Sequence, residues 1–156
     1  VFLVLAPVTV AGVAPWWISR WDGEPSLTEL WPLRAAGTML VLAGAVVLLD
    51  SFARFALQGL GTPAPVFPTR HLVVTGSYRH VRNPMYAAVV AVIAGQGLLL
   101  VDVRVLGYGA LVWLGFHLFV VTYEEPTLKA VYGPEYEAFC TGVRRWIPRL
   151  SPWRVH

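Results

Sequence analysis

Charge is scarce in this chain. Asp, Glu, Lys and Arg together make up 13% of 156 residues, where a soluble domain carries about a quarter. With 56% hydrophobic residues gathered in long runs, that shortage excludes an ordinary soluble domain and predicts an integral-membrane protein. Cysteine occurs once, at Cys140, which excludes an internal disulfide and a cysteine-based metal site, and the sequence holds no other convincing metal site. Internal repeats and low-complexity tracts are absent. No basic segment precedes the first apolar run, so residues 1–18 are expected to be a retained helix rather than a cleaved signal peptide. The positive excess is small, a net +3, and the basic residues flank apolar runs. There they anchor helices and meet anionic headgroups, so membrane lipids rather than nucleic acid are the expected partner.

What is present reads as one all-α unit over 1–156, a membrane helical bundle of about four spans with an amphipathic C-terminal segment. The expected spans are Val1–Ile18, about Leu33–Leu57, Pro84 to about Val101, and about Val105–Tyr123. Residues 19–32, bordered by Trp16, Trp17, Trp21 and Trp31, suit an interfacial loop. Nine Lys and Arg fall on one side of such a bundle: Arg54, Arg70, Arg79, Arg82, Lys129, Arg144, Arg145, Arg149 and Arg154. Three, Arg20, Arg34 and Arg104, fall on the other. The positive-inside rule therefore predicts a cytoplasmic-membrane protein with the 58–83 loop, the tail and both termini in the cytosol.

Two clusters interrupt the apolar pattern. In "GSYRHVRNPMY", Arg79, His80 and Arg82 crowd the mouth of a helix that starts at Pro84, with Asn83 placed to cap it. Such a helix mouth, with Arg82 beside it, attracts an anion. The plainer alternative is a headgroup anchor. In "TYEEP", Glu124 and Glu125 end an apolar helix where ionised groups are costly unless paired, and Pro126 is expected to bend the chain or start a new helix. A three-residue turn at 102–104 makes the third and fourth spans an antiparallel hairpin, so the two clusters should lie side by side. One glutamate is expected to pair with an arginine of the loop and the other to hold a ligand ammonium. His117, two helical turns before Glu124, is a candidate ligand contact or a satisfied interhelical histidine. Gln96, between Gly95 and Gly97, marks close helix packing or room for a flat ligand ring. Asp50 and Arg54 are spaced for an i,i+4 ion pair. Tyr132, Tyr136 and Phe139 recur at helical spacing, which suits a surface segment or a lid. Arg144 and Arg145 read as headgroup anchors.

"LVVTGSYRHVRNPMY", followed after about 37 residues by "YEEPTLKAVYGPEYEAF" and then "WIPR", resembles the isoprenylcysteine carboxyl methyltransferase and phospholipid methyltransferase group over about residues 58–150. The resemblance implies an integral-membrane enzyme that uses S-adenosylmethionine to methylate a hydrophobic or lipid-borne acceptor at the cytosolic face. It places Arg82, Tyr86 and Glu125 at the reaction site. Tyr78, Arg82, Asn83, Pro84, Tyr86, Glu124 and Glu125 would hold the cofactor, beside the candidates Gln96 and His117. Three positions depart from the pattern: Asn83 stands where many relatives have His, Ala88 where a Gly is common, and Gly142 where prenylcysteine enzymes often carry Arg. The alternatives are an NADPH-dependent reductase of the sterol reductase-like group and a non-enzymatic lipid-binding or scaffold protein.

Overall fold

A computed structural model describes residues 6–20, 30–58, 72 and 74–154. Residues 21–29 of the predicted interfacial loop, the first part of the basic loop including Arg70, and the first five residues of the first predicted span lie outside the described residues. Among the described residues every regular element is helical. The elements are a π-turn at Thr9–Val13, α1 (Ala14–Ser19), α2 (Trp31–Gln58), a 3-10 turn at Gly76–Arg79, α3 (Pro84–Leu100), α4 (Val103–Phe119), a second π-turn at Val120–Glu124, α5 (Glu125–Tyr132) and α6 (Pro134–Gly142).

Two helical runs are long and apolar enough to cross a membrane: Trp31–Arg54 within α2, and the continuous stretch Val103–Tyr132 from α4 through α5. Only 17% of the apolar window is buried in either run. Met39, Leu42, Val46 and Leu49 in α2, and Leu111 and Leu118 in α4, face outward. A soluble core helix would bury such residues, because exposure costs about 25 cal/mol per Å² in water, whereas lipid solvates them at no such cost. α3 has 17 residues. At 1.5 Å per residue it reaches about 25 Å, short of a hydrocarbon core of about 30 Å. Of the four predicted spans, two therefore meet the length and composition of a crossing helix among the described residues.

Both π-turns answer to a proline. Ala14 N–H donates to the Thr9 carbonyl and Glu125 N–H to the Val120 carbonyl, each five residues back. Pro15 and Pro126 follow immediately, in the first turns of α1 and α5. In an α register each ring would press on the carbonyl four residues earlier and leave it without a donor. The wider turn absorbs the mismatch: Pro126 stands in the first turn of a new helical segment, one of the two expected outcomes, and the helical run continues through it.

The described residues pack as two compact units, one within Val1–Val46 and Tyr86–Gly115, the other within Val47–Met85 and Phe116–His156. In the first, glycines bring α2 and α3 into backbone contact. A Cβ on Gly37 would stand 2.6 Å from the Gly95 carbonyl oxygen, and one on Gly95 would stand 2.7 Å from that of Gly37. That is the close approach the Gly95–Gly97 spacing predicts. The Gln96 amide donates to the Ala11 carbonyl at 2.6 Å, and the Tyr108 hydroxyl donates to that of Val10 at 3.0 Å. Both bonds tie the N-terminal π-turn to the hairpin. α3 and α4 are joined by Val101, at φ 53°, and Asp102. Asp102 Oδ1 accepts the Arg104 backbone N–H at 2.8 Å, capping α4, and the two side chains form an ion pair at 2.7 Å.

In the second unit Tyr136, Phe139 and Val143 form a core, with Leu72, Val74, Leu128, Tyr132, Cys140 and Trp153 packed around it. The aromatic spacing read as a surface face or lid thus covers this unit's own interior. The tail then runs back along the motif loop. Arg82 N–H donates to the Arg144 carbonyl at 3.0 Å, Arg149 N–H to that of His80 at 2.9 Å, and Trp153 N–H to that of Arg79 at 2.9 Å. Trp153 fills the space over Gly142, where a Cβ would collide with its indole.

Candidate functional site

The motif loop is set from below by the end of α2. Asp50 and Arg54 form the predicted ion pair at 2.8 Å. Asp50 Oδ2 also accepts the Ser77 hydroxyl at 2.6 Å and its backbone N–H at 3.3 Å, which pins the 3-10 turn to the helix. Gly76 opens that turn at φ 55°, and a Cβ there would collide with the Arg54 guanidinium, so the position requires glycine twice over. The clustered basic side chains are then taken up by the tail. Arg79 Nε donates to the Trp153 carbonyl at 2.7 Å, and His80 Nδ1 lies 2.8 Å from that of Arg149. A carbonyl only accepts, so His80 Nδ1 carries a proton.

Next along the loop, Arg82 enters a largely buried position, its side chain 13% exposed. Its Nη1 lies 3.2 Å from Glu125 Oε1 and 2.7 Å from Cys140 Sγ. The "RNPMY" and "YEEP" clusters therefore meet, through Arg82 and Glu125. A third group completes the cluster: Arg145 forks onto Glu125, Nε to Oε1 at 2.7 Å and Nη2 to Oε2 at 2.8 Å. That bidentate pair raises the already high pKa of Arg145. The structure corrects the reading of Arg145 as a headgroup anchor. Its neighbour Arg144 is exposed. One carboxylate between two guanidiniums leaves a net positive cluster. Within it Arg82 Nε is buried and has no hydrogen-bond partner among the described residues.

The remaining predicted residues are placed as follows. Asn83 is buried and its amide donates to the Arg145 carbonyl at 3.3 Å; Pro84 is fully buried at the start of α3. Tyr78 is raised well above the ordinary phenol pKa, first by burial and then by the negative charges of Glu124 and Asp50, which puts Glu124 near it. Burial likewise pushes the Tyr136 phenol up. His117 Nδ1 accepts the Trp146 indole N–H at 3.1 Å, the rings tilted by 40°. An indole only donates, so Nδ1 bears no proton in that arrangement. Tyr86 and Gln96 belong to the other unit.

Sequence reasoning missed Arg145, Cys140 and Trp146. Only charge complementarity to the two glutamates could have pointed to Arg145, and it does not distinguish that residue from Arg144. A family model described as phospholipid methyltransferase matches residues 33–135. No curated protein and no solved structure matches the chain.

Proposed function

Because the chain belongs to the phospholipid methyltransferase family, a family of membrane methyltransferases, we propose that it binds S-adenosylmethionine at the Arg82–Glu125 cluster and methylates a hydrophobic or lipid-borne acceptor at the cytosolic membrane face. The observation that carries this reading is Arg82: a buried guanidinium, fixed by Glu125 and Cys140, whose Nε–H lacks an acceptor among the described residues. An uncompensated buried donor is costly, and the α-carboxylate of the cofactor satisfies it. Glu125 is committed to two arginines, so the cofactor ammonium falls to Glu124, with Tyr78 near by. Asn83 and Pro84 hold the helix mouth where Arg82 sits. His117, in the same unit, completes the assigned set on the adenosine side. The four-span topology, with the basic loop and tail in the cytosol, accompanies this reading. It lets a water-soluble donor enter from one side and an apolar acceptor from the lipid.

S-adenosylmethionine supplies a methyl group already activated on a sulfonium sulfur. The protein's part is to align and to exclude water, and alignment is worth about 7–11 kcal/mol. Arg82 and Glu124 fix the two charged ends of the donor. The tail laid over residues 79–83 covers the loop that carries Arg82. The apolar faces of α2 and α4 keep the acceptor in lipid. Calorimetry on the detergent-solubilised chain tests this: S-adenosylmethionine is expected to bind and NADPH not to. Arg82→Ala is expected to lose at least tenfold in affinity. Absence of S-adenosylmethionine binding, or equal affinity in Arg82→Ala, overturns the assignment.

A further inference from the structure

A second polar site lies in the same unit, apart from the Arg82–Glu125 cluster. It is a broad basin of about 830 Å³, lined by Arg54, Arg79, Arg154, His80, Ser77 and Trp153 among others. None of the residues assigned above to the methyl donor lines it. Nor does any carboxylate: Asp50, beneath it, is spent on Arg54 and Ser77. Arg54 is thereby neutralised, but Arg79 and Arg154 are not. Arg79 uses only Nε, on the Trp153 carbonyl, so its two terminal nitrogens carry no bond to the described residues. Arg154 is exposed and makes none. The walls are built rather than incidental. Arg79 and Trp153 are tied by two reciprocal bonds, at 2.7 and 2.9 Å, and Trp153 is seated against Phe139 with ring centroids 5.6 Å apart. The volume is within the range of small-ligand sites, about 300–1,000 Å³.

Guanidinium forks without a competing carboxylate match phosphate oxygens in charge and geometry. The geometry points to this basin as a binding site for a phosphate group carrying net negative charge, separate from the methyl-donor site. Arg54 closes the crossing run Trp31–Arg54, so the basin stands where an anionic phospholipid headgroup is found; a free phosphate has the same chemistry.

The test uses the full chain in neutral detergent, with thermal unfolding as the readout, since a ligand that binds only the folded state raises the midpoint. The probes are a short-chain phosphatidic acid, a short-chain phosphatidylcholine, inorganic phosphate, and chloride at matched ionic strength. Phosphatidic acid is expected to stabilise the protein saturably and phosphatidylcholine and chloride not to. Arg154→Glu is expected to weaken that response at least tenfold and Arg154→Lys to restore part of it. A response to inorganic phosphate as well identifies the phosphate group alone as sufficient. A response to the lipid only identifies a lipid-borne phosphate as the source. No response to either, equal stabilisation by chloride, or a response unchanged in Arg154→Glu overturns the site. Arg154→Glu is expected to keep S-adenosylmethionine affinity. Loss of that affinity would make the basin part of the donor site and overturn the proposal of a separate one, whereas failure of donor binding in the unmodified chain leaves the phosphate measurement standing on its own.

Discussion

Replacing Glu125 by glutamine keeps the shape of the central side chain and removes its charge. In the native protein this carboxylate accepts two bonds from Arg145, at 2.7 and 2.8 Å, and lies 3.2 Å from Arg82. Glutamine offers one acceptor and turns an –NH₂ toward groups that are themselves only donors. Two guanidiniums are then left facing each other without an anion. Removing one partner of a well-buried pair costs about 3–5 kcal/mol. Here the side chains are 13%, 20% and 31% exposed, so water recovers part of that, and a loss of about 2–3 kcal/mol is expected. Arg145→Ala removes the most exposed member and leaves Arg82 paired with Glu125, for about 1 kcal/mol. The double variant should cost less than the sum, by about 1 kcal/mol, since glutamine at 125 then faces one cation rather than two. Reversible unfolding in mixed micelles measures all three. If each single change stays within about 0.5 kcal/mol of the native protein and the double is additive, the cluster is solvated. Arg82 is then not a held group waiting for an anion.

Gly76→Ala forces a side chain into a left-handed turn and onto the Arg54 guanidinium. A loss of about 2 kcal/mol or more is expected from strain and the broken Asp50–Arg54 pair, seen as a lower thermal midpoint, with Ser77→Ala milder. Tyr78 has a raised pKa, so between its ordinary value of about 10 and its folded value the folded state keeps a proton that the unfolded chain has lost. Stability should therefore be flat in Tyr78 up to about pH 10 and fall above it by up to about 1.4 kcal/mol per unit. Tyrosinate absorbance should show Tyr78→Phe deleting the latest part of the alkaline titration; deletion of a component near pH 10 would contradict the burial argument.

Much of what was legible in the sequence is local. The Asp50–Arg54 pair, Pro84 at a helix start, the tight turn at Asp102 and the glycine approach at Gly95 all follow from spacings of a few residues, where helix geometry dictates which side chains meet. The meeting of Arg82 with Glu125 was also foreseeable, because a short hairpin turn sets the register of its two arms. The tail was not. Arg145 reaches Glu125 across 20 positions and Arg82 reaches Cys140 across 58. Arg144 and Arg145 follow the end of α6 in irregular backbone, where no helical periodicity applies, and nothing local says which of them turns inward. The aromatic spacing at Tyr136 and Phe139 correctly marked an apolar face, but spacing alone does not say whether that face meets lipid or the protein's own interior.

The wide turn at Val120–Glu124 acts as an indexing step. A single extra residue swings everything beyond it by about 100° around the helix axis. The carboxylate that meets Arg82 owes its bearing to that step as much as to its place in the chain. Shortening the turn by one residue would keep every side chain of the cluster yet aim Glu125 somewhere else. The proline that demands the wide turn therefore also sets the compass heading of the charge beside it.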